Sequence, residues 1–342
     1  MKQTQNTHLH AAQPDWVREA IRTLHSAGVR VVAPVEADGT VDLTEVTSPE
    51  EVADGYQNAH LPLKRHFFPP TQVLLEFENG EDGEVEMAQQ ELPEEPTVIL
   101  GARPCDAAAL ASLDELFHWD YGDAFYTAAR ENTTVVTFAC DEPGEKCFCT
   151  SVGLSPQATG GSDVIAYRTD DGEMLLRPLT DRGEELIANL DGVEPAPEGT
   201  EVPDAPEPEK QFDPAQVKQW LDDNFESDFW KEVSLRCLGC GACSYLCPVC
   251  HCFDIVDEST WNRGQRRRNW DCCAFGEFTR HASGHNPRPD RASRWRQRVM
   301  HKFKYFPEKF DRLGCVGCGR CLENCGAGQD LVEVLGEIEA RA

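Results

Sequence analysis

The chain has 342 residues, 40% of them hydrophobic, enough for two or three cored domains of roughly 100–200 residues each. Asp+Glu 60 against Lys+Arg 32 leave a net charge of -28, which makes nucleic acid and anionic membrane surfaces poor partners. No apolar stretch approaches the roughly 18 residues needed to span a bilayer, and residues 1–8 lack the apolar core of a secretory signal. A soluble, cytoplasmic protein is expected.

In chain order, Pro14 to Ala27 has helical spacing, with Trp16, Val17, Ala20, Ile21 and Leu24 on one face and Gly28 closing it. Val29 to Pro34 reads as a strand, and Ala37-Asp-Gly39-Thr as a turn into Val41. Thr71 to Phe77, Thr97 to Gly101 and Thr134 to Ala139 are further strands, and Asp106 to Leu116 is a helix rich in Ala and Leu. Strands alternating with helices define an N-terminal α/β domain over residues 1–190. From 191 to 213 the composition turns acidic and proline-rich, which predicts an extended, poorly ordered linker. Pro214 to Val233 resumes helical periodicity through Val217, Trp220, Leu221, Phe225, Phe229 and Trp230.

Two cysteine quartets follow, Cys237, Cys240, Cys243 and Cys247, then Cys315, Cys318, Cys321 and Cys325. Both have the C-x2-C-x2-C-x3-C spacing by which bacterial ferredoxins hold a [4Fe–4S] cube, and the fourth thiolate usually serves the other cube. Structural zinc commonly uses two separated pairs and does not call for this run. Disulfides need an oxidising compartment that nothing here suggests. Two quartets point to a carrier that passes single electrons along a line. The long insert between them favours helices over a compact ββ ferredoxin, so residues 214–342 are expected to form an α-helical ferredoxin-like domain with two [4Fe–4S] clusters. The fold class is therefore α+β.

Eight cysteines lie outside the quartets. Cys105, Cys140, Cys147 and Cys149 sit in loops at strand ends and could ligate a third iron–sulfur centre, or be ordinary loop and core thiols. Cys250, Cys252, Cys272 and Cys273 read as packing near the clusters. His60, His66 and His118 are isolated, and the pair His281 and His285 lacks a third ligand nearby. Between Arg263 and Lys304 lie twelve basic residues and three acids, which fits a docking face, compensation for anionic cubes, or a solvated face of ion pairs. No catalytic constellation competes with the cysteines, and neither a Gly-x-Gly-x-x-Gly turn nor a Walker A loop is present, so no nucleotide site is expected.

Lys64-Arg-His-Phe-Phe-Pro-Pro, Gly101-Ala-Arg-Pro-Cys-Asp106, Cys147-Phe-Cys-Thr150, Cys247-Pro-Val-Cys-His-Cys-Phe-Asp254, Gly284-His-Asn-Pro-Arg-Pro289 and His301-Lys-Phe-Lys-Tyr-Phe306 occur in that order. The series resembles the 4Fe–4S dicluster family that contains the beta subunit of sulfhydrogenases ([NiFe] hydrogenase/sulfur reductase) and the corresponding iron–sulfur subunit of anaerobic sulfite reductase. The resemblance implies a non-catalytic relay between an FAD- and NAD(P)-binding flavoprotein subunit and the small and large [NiFe] hydrogenase subunits. In the sulfite reductase alternative the relay ends at a sirohaem subunit, and a freestanding redox carrier is the third reading. Three departures stand out: Gly326-Ala-Gly328 where the family generally has proline after the fourth cysteine, Cys272 before Cys273, and a long acidic linker.

Overall fold

The computed structural model describes residues 9–80 and 84–342; the N-terminal stretch read as lacking a leader lies outside the described residues. The strands are β1 (His10–Ala12), β2 (Arg30–Ala37), β3 (Thr40–Glu45), β4 (Thr71–Asn79), β5 (Val85–Gln89) and β6 (Thr97–Ala102). They continue with β7 (Thr133–Phe138), β8 (Val164–Arg168), β9 (Met174–Pro178), β10 (Val193–Pro195), β11 (Phe253–Thr260) and β12 (Arg263–Trp270). Among the described residues the larger sheet has eight strands in the order β10-β1-β9-β8-β7-β6-β2-β3. Its centre, β2-β6-β7-β8, is parallel.

Parallel strands must be covered on both faces, and the alternation within each strand shows two buried layers. Val31, Ala33, Val98, Leu100 and Val136 join one core, which α1 (Trp16–Ser26) covers with Trp16, Ala20, Ile21 and Leu24. Val32, Ile99, Ala102 and Val135 join the other, beneath α2 (Pro104–Phe117) and α3 (Ala124–Glu131). Pro104 starts α2 at a position where no backbone N–H is needed, and the Asp123 carboxylate caps α3 through the Tyr126 N–H at 2.9 Å. The helix α4 (Asp181–Ala188) adds Leu186 and Ile187 to the first layer.

A second sheet has the order β11-β12-β4-β5. The stretch between the quartets, expected to be helical, thus opens with a hairpin whose second strand pairs antiparallel with β4. The second strand carries the run Arg266-Arg267-Arg268, and Arg266–Asp257 and Arg267–Glu258 ion pairs cross to the first strand. The Arg268 guanidinium is buried, ion-paired with Asp123 and set among the rings of Phe68, Phe117 and Phe253. The predicted linker is extended, but it is tied down. β10 pairs with β1, Thr150 Oγ1 donates to Pro208 O at 2.7 Å, and Gln157 Nε2 donates to Pro203 O at 2.7 Å.

The remaining helices are α5 (Pro214–Asp223), α6 (Phe229–Val233), α7 (Ala242–Tyr245), α8 (Arg291–Met300), α9 (Phe306–Phe310), α10 (Arg320–Glu323) and α11 (Leu331–Glu339). The helical run expected from Pro214 to Val233 breaks near Asn224, whose side chain donates to Trp220 O and whose carbonyl accepts from Trp230 Nε1. Trp220, Phe229, Trp230, Trp295, Val299, Phe303, Leu335 and Ile338 form one core with Phe148 of the N-terminal half. No described helix is long and apolar enough to cross a membrane.

Candidate iron–sulfur sites

Each quartet starts in a loop of the same shape. Gly239 and Gly241 in the first, and Gly317 and Gly319 in the second, have positive φ between 64° and 82°. A short helix follows each loop, α7 and α10. Gly317 is also a contact point, because a Cβ there would stand 2.5 Å from Cys149 Cα. The Phe148 N–H donates to Gly317 O at 2.8 Å, so the second quartet loop is pressed against the Cys147–Cys149 segment.

Cys237, Cys240 and Cys243 surround a cavity of about 80 Å³, and Cys325, from the far quartet, lines the same cavity together with Cys321. Trp295 and Gln329 border it as well. Trp295 Nε1 and both side-chain polar atoms of Gln329 are buried with no partner among the described residues. The two orphaned donors, Trp295 Nε1 and Gln329 Nε2, call for a guest bearing acceptors, which sulfides and thiolates supply. Cys247, in turn, packs with Cys318 and Val316. It also lies within electrostatic reach of Cys315, Cys318 and Cys321. The fourth cysteine of each quartet therefore stands with the first three of the other.

Buried cations face these thiols. Lys302 Nζ lies 3.3 Å from Cys247 Sγ and donates to Gly314 O at 2.6 Å. Arg298 donates to Cys243 O at 2.7 Å and to Cys250 Sγ at 3.7 Å. Lys64 donates to Cys250 O at 2.7 Å and sits 4.0 Å from the Trp270 ring centre. A hydrogen bond from Cys250, with Lys302, Arg298 and Lys64 around it, holds Cys247 well below the usual thiol range. Burial works against the charge of Lys302, but Cys247 and Cys250 outweigh it and keep the ammonium protonated. Burial pushes the Cys318 thiol up to about 12, against the pull of Arg320. Preformed positive charge fits a site that takes up four thiolates.

The N-terminal cysteines also come together. Cys105 opens α2 after β6, Cys140 follows β7, and Cys147 and Cys149 lie on the next loop, all beyond the carboxyl ends of the parallel strands where open α/β sheets place ligands. Cys140 interacts with Cys105, Cys147 and Cys149, and Cys149 with Cys147. Asn58 bridges this group to the second quartet. Its Nδ2 donates to Cys147 Sγ at 3.7 Å and to Cys318 O at 3.4 Å, and its Oδ1 accepts from Cys105 at 4.0 Å. Burial raises Cys140 and Cys149 to about 11 each. Among the described residues no three His, Cys, Asp or Glu groups converge closely enough for a single metal ion.

Arg320 joins the halves. It is 1% exposed, donates to Ala59 O at 2.8 Å and pairs with the equally buried Asp106 at 2.6 Å. Sequence reasoning singled out none of Lys64, Asn58, Arg298, Lys302 and Arg320, although Arg298 and Lys302 fall in the basic stretch for which charge compensation of the cubes was one reading. The signal for two of them was present, since Arg298 and Lys302 share one helical face with Trp295, Val299, Phe303 and Phe306. His66 instead bonds Leu43 O at 2.9 Å, and His118 bonds Asp114 O and Thr127 Oγ1. His281 and His285 have ring centres 5.4 Å apart and no third described ligand beside them.

Fold and thiol groupings together define an iron–sulfur protein. A family model described as a 4Fe–4S dicluster domain matches residues 236–329. The chain is 32% identical over 320 residues to Sulfhydrogenase 2 subunit beta of Pyrococcus furiosus, a match that spans 90% of this chain and 92% of that protein. The chain belongs to the family of sulfhydrogenase beta subunits that carry a 4Fe–4S dicluster domain. No solved structure matches it.

Proposed function

We propose that this chain is the electron-relay subunit of a cytoplasmic [NiFe] hydrogenase complex. It conveys electrons between a flavoprotein subunit that uses NAD(P)H and the small and large hydrogenase subunits. Cys237, Cys240, Cys243 and Cys325 would hold one [4Fe–4S] cube, and Cys315, Cys318, Cys321 and Cys247 the other. Cys105, Cys140, Cys147 and Cys149 would hold a third centre beside the second cube. The clusters supply one-electron storage; the chain supplies the thiolates, the buried cations and a fixed spacing. The observation that carries this reading is the exchange of fourth cysteines, because Cys325 lines the cavity of the first quartet.

Affinity capture of the native complex under anaerobic conditions, followed by metal analysis, tests it. Nickel in a large subunit together with a flavoprotein is the expected result. Sirohaem without nickel would overturn the hydrogenase assignment in favour of sulfite reduction, and capture of the chain alone would leave a freestanding carrier.

A further inference from the structure

Four cysteines remain outside these three groups, and the fold assembles them. Cys250 and Cys252 precede β11, and Cys272 and Cys273 follow β12. The hairpin register pairs Phe253 with Trp270, so the two cysteine pairs meet at its base, where the Asp271 N–H donates to Cys252 O at 2.9 Å. Cys273 directly follows Cys272 and lines one cavity with Cys252, and Ser244 Oγ lies 4.0 Å from Cys273 Sγ. Cys250, Cys252 and Cys273 line one small cavity with Arg298 and Lys302.

These thiols do not behave as packing residues. A buried thiol that merely fills space lies among apolar neighbours, whereas here thiol meets thiol and two buried cations face the group. Cys272 is fully buried, yet its sulfur accepts from the Ala274 N–H at 3.2 Å, as ligand thiolates in iron–sulfur proteins do from backbone amides. The pairs come from two strands that the β11–β12 ladder holds in register, so the hairpin is a clamp whose jaws are Cys250/Cys252 and Cys272/Cys273.

From this geometry we infer a further iron–sulfur centre, held by Cys250, Cys252, Cys272 and Cys273 at the base of the β11–β12 hairpin. It would lie next to the first cube, because Ser244, which touches Cys273, directly follows Cys243. The inference stands apart from the hydrogenase assignment, since it concerns what this chain binds and not what it joins.

The test compares full-length wild type with Cys252→Ser and Cys272→Ser, each reconstituted anaerobically with ferrous iron and sulfide. Iron, acid-labile sulfide and zinc are counted, and the reduced proteins are examined by EPR. Both variants are expected to lose about two to four irons with matching sulfide, while the signals of the quartet cubes persist. Unchanged iron, sulfide and spectra would overturn the inference. So would one zinc per wild-type chain that disappears in the variants, which would mean a structural zinc. Loss of every cluster signal together in both variants would overturn it too and return these thiols to a packing role.

Discussion

Replacing Asp106 by Ala should strongly destabilise the junction between the two halves of the chain. The substitution strands the Arg320 guanidinium, which is 1% exposed and already has Nη1 without a partner among the described residues. Only the bond from Nε to Ala59 O remains, and the Leu63 N–H loses its acceptor as well. Burial alone would push the pKa of Arg320 down, but Asp106, Cys318 and Cys105 hold it well above its ordinary value. An arginine does not escape such a site by losing its proton. Breaking a buried pair from one side costs about 3–5 kcal/mol. At about 2–4 °C per kcal/mol for larger chains, the melting temperature should fall by about 6–20 °C. The assay is thermal unfolding of the cluster-loaded chain under anaerobic conditions, followed by near-UV circular dichroism. The double variant Asp106→Leu/Arg320→Met should recover most of the loss, because an apolar pair leaves no charge buried. A shift below about 2 °C for Asp106→Ala, or a double variant as unstable as the single one, would refute the reasoning.

Other outcomes follow from the same geometry. Cys240→Ala and Cys325→Ala should abolish the same EPR signal, each with loss of about four irons. Cys247→Ala should match Cys315→Ala instead; a shared signal for Cys240 and Cys247 would refute the exchange of fourth ligands. Lys302→Met removes an ammonium 3.3 Å from Cys247 Sγ, so the potential of the second cube should fall by roughly tens of millivolts in an EPR redox titration. An unchanged midpoint would show that the charge is screened. Burial lowers His66 from its ordinary 6.5 to about 4. The unfolded chain therefore binds a proton there that the native chain refuses, and stability is lost as pH falls from about 6.5 to 4, by about 3 kcal/mol at most. The wild-type melting temperature should drop more steeply over that window than that of His66→Gln, and parallel curves would remove His66 from the account.

Local chemistry made the thiol quartets and the β3-β2-β6-β7 half of the larger sheet legible in the sequence. Spacing alone brings three thiols onto one loop, and runs such as Thr97 to Gly101 are apolar on both faces because parallel strands are buried on both. The hairpin at Phe253–Trp270 was harder to read, since its residues are mostly polar and exposed and carry no apolar alternation. Its partner, β4, lies far back in the chain, and pairing at that separation leaves no local signal. The buried cations were hidden for a different reason. A lysine such as Lys64 is ordinarily a surface residue, and only the fold shows that it points at Cys250 O beneath Trp270.

These long-range ties bear on how a relay keeps its geometry. The second quartet loop cannot leave the N-terminal half without exposing Gly317 from beneath Phe148 and Cys149 and breaking the Asp106–Arg320 pair. The first quartet is held through the hairpin, which starts six residues after Cys247 and is hydrogen-bonded along β4. The second cysteine loop is therefore fastened to the N-terminal half by the Asp106–Arg320 pair, and the first by a strand ladder that the buried Arg268–Asp123 pair reinforces. Local unfolding of either loop must break contacts drawn from both halves, which places these loops toward the stable end of the molecule. A rigid frame holds the distances between thiol groups constant, as transfer of electrons from one centre to the next requires.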